Sequence, residues 1–189
     1  MTATVVLIRH GQSTFNAHYE ATGTDPGHVD ARLTEIGHQQ AAAARQRMAG
    51  FPRPELVIST PLTRALQTTL AIFGGTGIPV DVTSHHREQL ESFCDVGRTP
   101  AELAAEFPGL AFDHLDDPWW HNGPIDDRGL PVEPHAVFSE RVTSFAQWLA
   151  AHPSATVAVV GHGTFFRHLT GRGFANCEIV PWMPGTVLA

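Results

Sequence analysis

Cysteine, basic residues and long apolar runs are all scarce in this sequence of 189 residues. The two cysteines, Cys94 and Cys177, are too few for a disulfide framework and lack the CxxC spacing of metal or redox motifs. We therefore expect a reducing compartment and a cytoplasmic protein. A chain of this length can bury roughly 70% of its unfolded surface, so it needs no disulfide or metal to stabilise its core.

The apolar runs are much shorter than the roughly 20 residues that cross a membrane. The run near the N-terminus is also too short for a signal-peptide core and has no basic leader. Lysine and arginine together number 12 against 19 acidic residues, and the formal net charge is -7. Nucleic-acid binding requires clustered cations that neutralise phosphates. We expect neither a membrane nor a nucleic acid as a partner.

The remaining composition is typical of a globular protein. Apolar residues make up 42% of the chain and charged residues 16%, and the 17 glycines and 14 prolines are spread along it. A length below 200 residues fits one domain, so we interpret residues 1–189 as a single domain.

Short β-branched apolar runs alternate with longer amphipathic stretches. Four of these runs predict strands at 4–8, 56–58, 78–82 and 156–160, and CEIVPW near the C-terminus predicts a weaker one. The runs show little polar alternation, and helical patterns separate them. This combination predicts an α/β fold with a mostly parallel sheet covered by helices on both faces.

Capping residues and helical spacing predict four helices. The first begins near Thr34 and ends at Gly50, where a left-handed conformation would close it. Five residues of this stretch lie at helical spacing: Leu33, Ile36, Gln40, Ala44 and Met48.

The second helix is predicted with Thr60 as N-cap and Pro61 at its first position, and it closes at Gly74 and Gly75. A third, shorter helix opens at Thr99. The clearest apolar stripe predicts a fourth helix that covers the sheet with four residues on one face: Phe138, Val142, Phe145 and Leu149.

Polar side chains and glycines follow each of the first four predicted strands. In chain order these residues are Arg9, His10 and Gly11; then Arg64; then Arg87, Glu88 and Glu91; then Gly161, His162 and Gly163. Ligands of parallel sheets bind outside the carboxyl ends of the strands. We therefore expect these residues to meet in one crevice.

The residue types in this crevice suit a phosphate ester. Arginine forks match phosphate oxygens, imidazoles act as nucleophile or proton donor, and a carboxylate serves as acid or base. Gly11 and Gly163 are expected to let the backbone approach the ligand, and the helix start at Pro61 to direct N–H groups at an anion. A cation about 4 Å from a phosphate charge contributes on the order of 4 kcal/mol at an effective dielectric near 20. A cationic pocket is therefore compatible with an acidic protein.

Three segments, LIRHGQSTFN, STPLTRALQT and VVGHGT, resemble the signature segments of the histidine phosphatase superfamily, also called phosphoglycerate-mutase-like. The resemblance spans nearly the whole chain and implies a three-layer α/β/α fold with no metal or other cofactor. It implies that His10 attacks phosphorus and becomes phosphohistidine. It also implies that Arg9, Arg64 and His162 hold the phosphoryl oxygens and that Asn16 helps to bind the phosphate. Fixed cations would then replace the magnesium of other phosphoryl-transfer enzymes, and the arginines would keep His10 neutral.

The segment expected to hold the general acid departs from the pattern of many family members. The segment REQLESFCDVG lacks the acidic-glycine pair of many members and looks more like a branch in which Arg-Glu precedes Cys-Asp. Glu88 is the favoured acid and Glu91 the alternative. Arg87 either guides substrate or pairs with a carboxylate. Cys94 has no paired base and is interpreted as a buried side chain.

The stretch from 111 to 134 is longer than an ordinary loop. It is either a lid that faces the substrate or a loop anchored by Trp119 and Trp120. Its histidines and aspartates match no HExxH or similar ligand pattern, so we expect no metal site there. Arg141 and Arg167 are interpreted as structural.

The favoured function is that of a phosphomonoesterase acting on a small-molecule phosphate ester. A phosphoglycerate-type mutase is the alternative enzyme. It must shield phosphohistidine from water, and the short chain argues against the added segments that enclose substrate in such mutases. A catalytically idle module that binds a phospholigand or a protein is the second alternative. The complete set of Arg9, His10, Arg64 and His162 disfavours it, because degenerate relatives usually lose one of these residues. The sequence leaves the substrate's identity and the oligomeric state open.

Overall fold

A computed structural model describes residues 4–154 and 156–184. Five strands have the bounds Thr4–Arg9 (β1), Leu56–Ser59 (β2), Val80–Val82 (β3), Thr156–Gly161 (β4) and Ile179–Trp182 (β5). They form one sheet in the order β3-β2-β4-β1-β5. The first four strands run parallel, and β5 runs antiparallel to β1. The predicted mostly parallel sheet is confirmed.

The described residues contain six α-helices: Thr14–Thr22 (α1), Glu35–Arg47 (α2), Thr63–Phe73 (α3), Pro100–Glu106 (α4), His135–Ala150 (α5) and Gly163–Thr170 (α6). Short 3-10 turns occupy Met48–Gly50, Ser84–His86 and Phe93–Asp95. Within the described ranges, no helix has both the length and the apolar character required to cross a bilayer.

Alternating residues of the central strands build two cores on opposite faces of the sheet. Val5 and Leu7 of β1 pack with residues of α5 and α6. Val6 and Ile8 pack with residues of α2 and α3. Side chains of successive strand residues point to opposite faces, so one strand serves both cores. The structure is a three-layer α/β/α sandwich, as expected.

The four apolar residues of α5 form its buried face as predicted. Phe138, Val142, Phe145 and Leu149 are all buried in the core between α5 and the sheet. Burying each such side chain contributes roughly 1.5–3 kcal/mol relative to leaving it exposed. This stripe fixes α5 against β1 and β4, the strands that end at the candidate site.

Helix α2 begins as predicted but buries a different face. The Thr34 side chain accepts a hydrogen bond of 3.0 Å from the Gly37 N–H, which confirms the N-cap. Ile36, however, is 54% exposed, and the buried residues are Gly37, Ala41 and Ala44. A Cβ at Gly37 would lie 2.1 Å from the carbonyl oxygen of Gln12, so only small residues allow this close approach.

The predicted end of this helix also needs correction. The α-helix ends at Arg47, and a 3-10 turn continues it to Gly50. Gly50 does not adopt the left-handed conformation that the sequence suggested. The helix instead closes through Met48, whose N–H donates to the carbonyl oxygens of the last turn.

The predicted start of α3 is wrong by two residues. The helix begins at Thr63, and its N-terminus is capped by Asp30, a residue far away in sequence. One Asp30 oxygen accepts from the Thr63 N–H at 2.8 Å, and the other accepts from the Thr63 hydroxyl at 2.5 Å. A distant carboxylate leaves no local sequence signal. The prediction of Thr60 as N-cap and Pro61 as first helical residue is therefore wrong. The predicted close is confirmed by the C-cap Gly74 and by Gly75, which has a φ of 75°.

Two short helices next to the site were not predicted. Helix α1 contains no buried residue, so it has no apolar stripe to detect, although Ser13 and Asn16 form a capping box at its start. Helix α6 has eight residues and follows β4 almost directly. The shorter α4 was predicted correctly, with Thr99 as its N-cap.

Trp119 anchors the stretch from 111 to 134. It is 3% exposed, packs in a core with Leu62 and Leu66, and donates from Nε1 to the Arg98 carbonyl oxygen at 2.8 Å. A Cβ at Gly97 would lie 2.1 Å from the Trp119 ring, so the indole lies directly on this backbone. None of the residues from 111 to 134 lines the candidate site described below. The structure favours the anchored loop over the lid.

Candidate active site

The carboxyl ends of the strands open into one cavity of about 360 Å³. Six of the predicted site residues line it: Arg9, His10, Asn16, Arg64, Glu88 and Gly163. His162 lies beneath this surface, with its ring centroid 5.2 Å from that of His10. Gly11 does not line the cavity. The topology therefore brings together residues separated by more than 150 positions in the chain.

His10 lines the cavity, and a backbone carbonyl holds one of its two ring nitrogens. Its Nδ1 lies 2.7 Å from the Gly11 carbonyl oxygen, which can only accept, so Nδ1 carries the proton. In the neutral ring the lone pair is then on Nε2. Burial lowers the pKa of His10 well below its usual value, and the charges of Arg64 and Arg9 lower it further. His10 is therefore a neutral imidazole whose Nε2 carries a free lone pair.

His162 is buried behind His10 and is oriented by one hydroxyl. Its Nε2 forms a hydrogen bond of 2.7 Å with the Thr60 side chain. Its Nδ1 is buried and has no hydrogen-bond partner among the described residues. Burial, followed by the charge of Arg64, lowers the pKa of His162 well below its usual value. Buried polar atoms without a partner are rare, so this nitrogen marks His162 as a candidate for contact with a ligand.

Arg64 is held in place by two buried acceptors. Its Nη1 donates to the Cys94 carbonyl oxygen at 2.6 Å, and its Nη2 donates to Asp95 at 2.9 Å. The ion pair with Asp95 is almost fully buried on both sides. A buried cation requires such pairing, since an isolated one would be strongly disfavoured. Asp95 is thus a site residue that the sequence did not predict, because the Cys-Asp dipeptide indicated only a family branch and no partner for Arg64.

One nitrogen of the Arg9 guanidinium is hydrogen-bonded to the backbone, and another has no hydrogen-bond partner in the described residues. Its Nη1 donates to the Phe174 carbonyl oxygen at 2.6 Å, whereas its buried Nε has no partner within the described ranges. A Cβ at Gly163 would lie 3.1 Å from this Nε, so Gly163 provides room for the guanidinium. The fork is preoriented and retains donors for an incoming anion.

Glu88 connects the strand end after β3 to the start of α6. Its carboxylate accepts from the backbone N–H groups of Thr164 and Phe165, each at 2.9 Å. Burial raises the pKa of Glu88 above its usual value, and the nearby Asp95 adds to this shift. A carboxyl group with a raised pKa in a cavity is a candidate for proton transfer.

Three residues close to Glu88 in sequence differ in their burial and in their hydrogen bonds. Glu91 lines the same cavity but is exposed. Arg87 donates to the buried Glu133 at 3.0 Å and does not line the cavity, so it pairs with a carboxylate rather than guiding substrate. Cys94 is buried, and burial together with Asp95 raises the pKa of its thiol. The prediction that Cys94 is a buried side chain is confirmed.

Gly11 is required for packing rather than for contact with a ligand. A Cβ there would lie 2.6 Å from the Gly37 carbonyl oxygen on α2. The expected anion site at the start of α3 is also wrong, because the Asp30 carboxylate already occupies that N-terminus. Arg98 donates from Nε to the same carboxylate at 2.8 Å, which further neutralises it.

Asn16 lines the cavity from the first turn of α1. Its side-chain oxygen accepts from the Ser13 N–H and hydroxyl, both at 3.1 Å. The Asn176 side chain donates to the His10 carbonyl oxygen at 3.0 Å and reaches the Asn16 oxygen at 3.5 Å. With its oxygen engaged in this way, Asn16 directs only N–H donors outward. Asn176 was not identified from the sequence.

The described residues contain no group of three or more histidines, cysteines, aspartates or glutamates arranged to hold a metal ion. His114 in the long loop bonds the Val82 carbonyl oxygen at 2.6 Å. Arg141 donates to Glu133 and to backbone carbonyl oxygens, which fits its interpretation as structural. Arg167, which was interpreted in the same way, instead lines the cavity.

Known proteins resemble this chain in both sequence and structure. A glucosyl-3-phosphoglycerate phosphatase of Mycolicibacterium vanbaalenii is 33% identical over 172 residues, covering 88% of this chain and 72% of the relative. A 2,3-bisphosphoglycerate-dependent phosphoglycerate mutase of a Chelativorans species is 36% identical over 202 residues, covering 97% and 91%. The mycobacterial glucosyl-3-phosphoglycerate phosphatase structure with VO3 superposes with a TM-score of 0.59 at 24% identity, covering 94% and 89%.

The family model of the histidine phosphatase superfamily (branch 1) matches residues 5–178. This match includes β1 with Arg9 and His10, the Arg64 helix, and β4 with His162. The chain belongs to branch 1 of the histidine phosphatase superfamily.

Proposed function

We propose that this protein is a phosphomonoesterase that hydrolyses a small phosphate ester through a phosphohistidine on His10. The observation that carries the proposal is the state of His10. Its Nδ1 is committed to the Gly11 carbonyl oxygen, its pKa is lowered by burial and by two arginines, and it lines a cavity with those arginines. A neutral nucleophile between fixed cations suits attack on a dianionic phosphoryl group.

In the first step the Nε2 lone pair of His10 attacks phosphorus, and the bond from phosphorus to the ester oxygen breaks. The departing oxygen takes the bonding electrons and receives a proton from Glu88, so the alcohol leaves neutral. Arg9 and Arg64 stabilise the charge on the equatorial oxygens, as fixed cations do in other phosphoryl-transfer sites. His162 lies beside the ring of His10 and has one nitrogen available for the phosphoryl group.

In the second step water attacks phosphorus, and the Glu88 carboxylate accepts the proton. The bond from phosphorus to Nε2 breaks, the electrons return to His10, and inorganic phosphate is released. Glu88 therefore acts first as acid and then as base. Its raised pKa supports the first role, and its position in the cavity is compatible with the second.

The relatives support a small phosphate ester as substrate. Those at 30% identity or more over most of the chain include glucosyl-3-phosphoglycerate phosphatases of mycobacteria. Both cysteines are free and buried, which supports a reducing, cytoplasmic location. The match over residues 5–178 supports a single domain over the whole chain.

A phosphoglycerate mutase is the second candidate, and the 36% identity to a named mutase favours considering it. Because this chain covers 91% of that relative, its length does not separate the two activities. The long loop, anchored by Trp119 away from the cavity, argues for hydrolysis, since a mutase must keep water from phosphohistidine. Conversion of 3-phosphoglycerate to 2-phosphoglycerate, with or without a bisphosphate primer, would favour the mutase.

The decisive experiment is to trap the intermediate. Wild-type protein is mixed with a labelled phosphomonoester and quenched rapidly, and we expect acid-labile, base-stable label on His10. The His10→Ala variant should show no such label and at least about 10³-fold lower turnover, because loss of a nucleophile leaves only binding and electrostatic assistance. Label on another residue, or release of phosphate by His10→Ala at the wild-type rate, would exclude this mechanism.

A further inference from the structure

Arg167 lies on the cavity-facing side of α6. It is four residues after Gly163, so the two residues share one face of the helix. Gly163 lies against the Arg9 guanidinium, and both Gly163 and Arg167 line the cavity. Arg167 is thus one helical turn further along the wall from the residues that surround the phosphoryl group.

Arg167 differs from every other arginine in its contacts. All 12 basic residues of the chain are arginines. Eleven of them donate side-chain hydrogen bonds to carboxylates or carbonyl oxygens, as Arg64 does to Asp95 and Arg172 to Glu178. The Arg167 guanidinium forms neither a hydrogen bond nor an ion pair with any residue in 4–154 or 156–184. An unpaired, exposed fork at a cavity wall has its donors free for a ligand.

A side groove of about 390 Å³ begins at Arg167. Gln89, Thr164 and Arg167 line both this groove and the main cavity, so the two spaces are continuous. His135 and His168 line the far part of the groove, where both rings contact the Ser139 hydroxyl. The groove therefore offers polar donors and acceptors, and Arg167 supplies a full positive charge at its entrance.

The arginines of the cavity can bind two different groups of a substrate. A bound phosphoryl group would carry up to two negative charges and would face the guanidinium groups of Arg9 and Arg64, of which Arg64 is already paired with Asp95. Arg167 adds one further positive charge outside that pair. A single guanidinium matches a single carboxylate, which it can bind with two parallel hydrogen bonds. A second phosphate would require more cations than the one that this wall offers.

We propose that Arg167 binds a carboxylate carried by the leaving group of the substrate, so that the preferred substrates are phosphate esters of hydroxy acids. This inference rests on the proposed phosphomonoesterase function. It assigns the alcohol half of the ester to the junction between cavity and groove, with its carboxylate on Arg167. The interpretation of Arg167 as structural is corrected accordingly.

The test compares two esters that differ at one carbon. 3-Phosphoglycerate has a carboxylate where glycerol 1-phosphate has a hydroxymethyl group. In Arg167→Gln, KM for 3-phosphoglycerate should rise about 10- to 100-fold with little change in kcat, the range expected for loss of a charge-assisted hydrogen bond. The ratio of kcat/KM values for the two esters should fall by the same factor. Arg167→Lys should recover part of this ratio, because it keeps the charge but loses the fork.

The matched control is Arg53→Gln. Arg53 is remote from the cavity and donates only to the Thr76 carbonyl oxygen, so this variant removes one surface charge without altering the site. The ratio of kcat/KM values for the two esters should be the same in Arg53→Gln as in the wild type. Equal losses on both esters in Arg167→Gln, or a wild-type preference for glycerol 1-phosphate, would overturn the proposal. Glycerol 1,3-bisphosphate tests whether Arg167 binds a second phosphate instead. A larger rise of KM for this ester than for 3-phosphoglycerate in Arg167→Gln would also overturn the carboxylate assignment.

A binding measurement separates this inference from the proposed reaction. Calorimetric titration of His10→Ala with 3-phosphoglycerate reports affinity without turnover, and adding Arg167→Gln should weaken it about 10- to 100-fold. If the wild type hydrolyses no phosphomonoester and forms no phosphohistidine, the proposed function fails, while this titration still decides whether Arg167 binds the carboxylate. Unchanged affinity in the double variant would contradict the subsite.

Discussion

The Thr60 hydroxyl oxygen lies 2.7 Å from Nε2 of His162, and both side chains are fully buried. Thr60 follows β2, whereas His162 follows β4, so the hydrogen bond joins two neighbouring strand ends. The other nitrogen of His162 is left without a partner in the described part of the chain. The hydroxyl therefore fixes both the orientation of the ring and the nitrogen that remains available.

Thr60→Val should lower kcat. Valine keeps the volume and branching of threonine but removes the hydroxyl, so the ring of His162 loses its orienting bond. We expect kcat to fall about 10- to 100-fold, because leaving a buried polar group unpaired costs about 1–3 kcal/mol and that cost displaces the ring. Steady-state kinetics on one ester would measure this effect.

Thr60→Ser is the control, since it keeps the hydroxyl and should retain most of the wild-type kcat. Comparable losses in Thr60→Ser and Thr60→Val would mean that the methyl group matters rather than the hydrogen bond. A Thr60→Val enzyme with wild-type kcat would show that His162 needs no orienting partner.

The local patterns in the sequence predicted the parts of the site that strands position directly. Arg9 ends β1, His10 follows it, and His162 follows β4, so identifying the strands was enough to bring these residues together. The same holds for Glu88, which follows β3 and its 3-10 turn. Short-range pattern and parallel topology are sufficient for such residues.

The supporting contacts could not be predicted, because they join residues far apart in sequence. Asp95 pairs with Arg64 across 31 positions, and Asp30 caps α3 across 33. Neither carboxylate has a local pattern that reveals its partner. Asp30 caps α3, whereas the sequence pattern predicted Thr60 as the cap. Helix α1 was missed for a different reason, since none of its residues is buried and its sequence lacks an apolar stripe.

Hydrolysis should not depend on an added metal ion. The guanidinium groups of Arg9 and Arg64 line the cavity with His10, and they can supply the positive charge that a divalent cation brings elsewhere. We expect unchanged kcat/KM after dialysis against EDTA, measured with p-nitrophenyl phosphate. Loss of activity that magnesium, manganese or zinc restores would contradict this expectation.

Acid should destabilise the protein through its buried histidines. Burial lowers the pKa of His86 to about 3, whereas an unfolded histidine titrates near 6.5. Between these values the unfolded chain binds a proton that the folded chain excludes, so stability falls as pH decreases below about 6.5. His10 and His162, with pKa values also lowered by burial, add to the same trend.

His86→Gln isolates one of these groups. Glutamine retains a donor for the Val160 carbonyl oxygen, which His86 Nε2 bonds at 3.0 Å, but it does not titrate. Between pH 6 and pH 5 the slope of unfolding free energy against pH should be smaller in the variant by about 1.4 kcal/mol per pH unit. Urea unfolding at several pH values measures both slopes. Parallel slopes would mean that His86 is protonated in the folded state.

Glu88→Gln should affect esters according to their leaving groups. An alkyl ester such as glycerol 1-phosphate expels a strongly basic alkoxide, so loss of the acid should slow phosphorylation of His10 about 10²- to 10⁴-fold. The leaving group of p-nitrophenyl phosphate is a stable phenolate, so its phosphorylation step should be nearly unchanged. Single-turnover rapid-quench measurements on both esters separate this step from the later hydrolysis of phosphohistidine.

The pH dependence provides a second signature of the same residue. The pKa of Glu88 is raised by burial and by Asp95, so its protonated form persists above the usual glutamate range and is lost as pH rises through the raised value. Wild-type phosphorylation by the alkyl ester should therefore decline on the alkaline side, and Glu88→Gln should remove that decline. Glu91→Gln is the matched control, because Glu91 lines the same cavity but is exposed. A selective loss on the alkyl ester in Glu91→Gln, with Glu88→Gln losing equally on both esters, would assign the acid to Glu91.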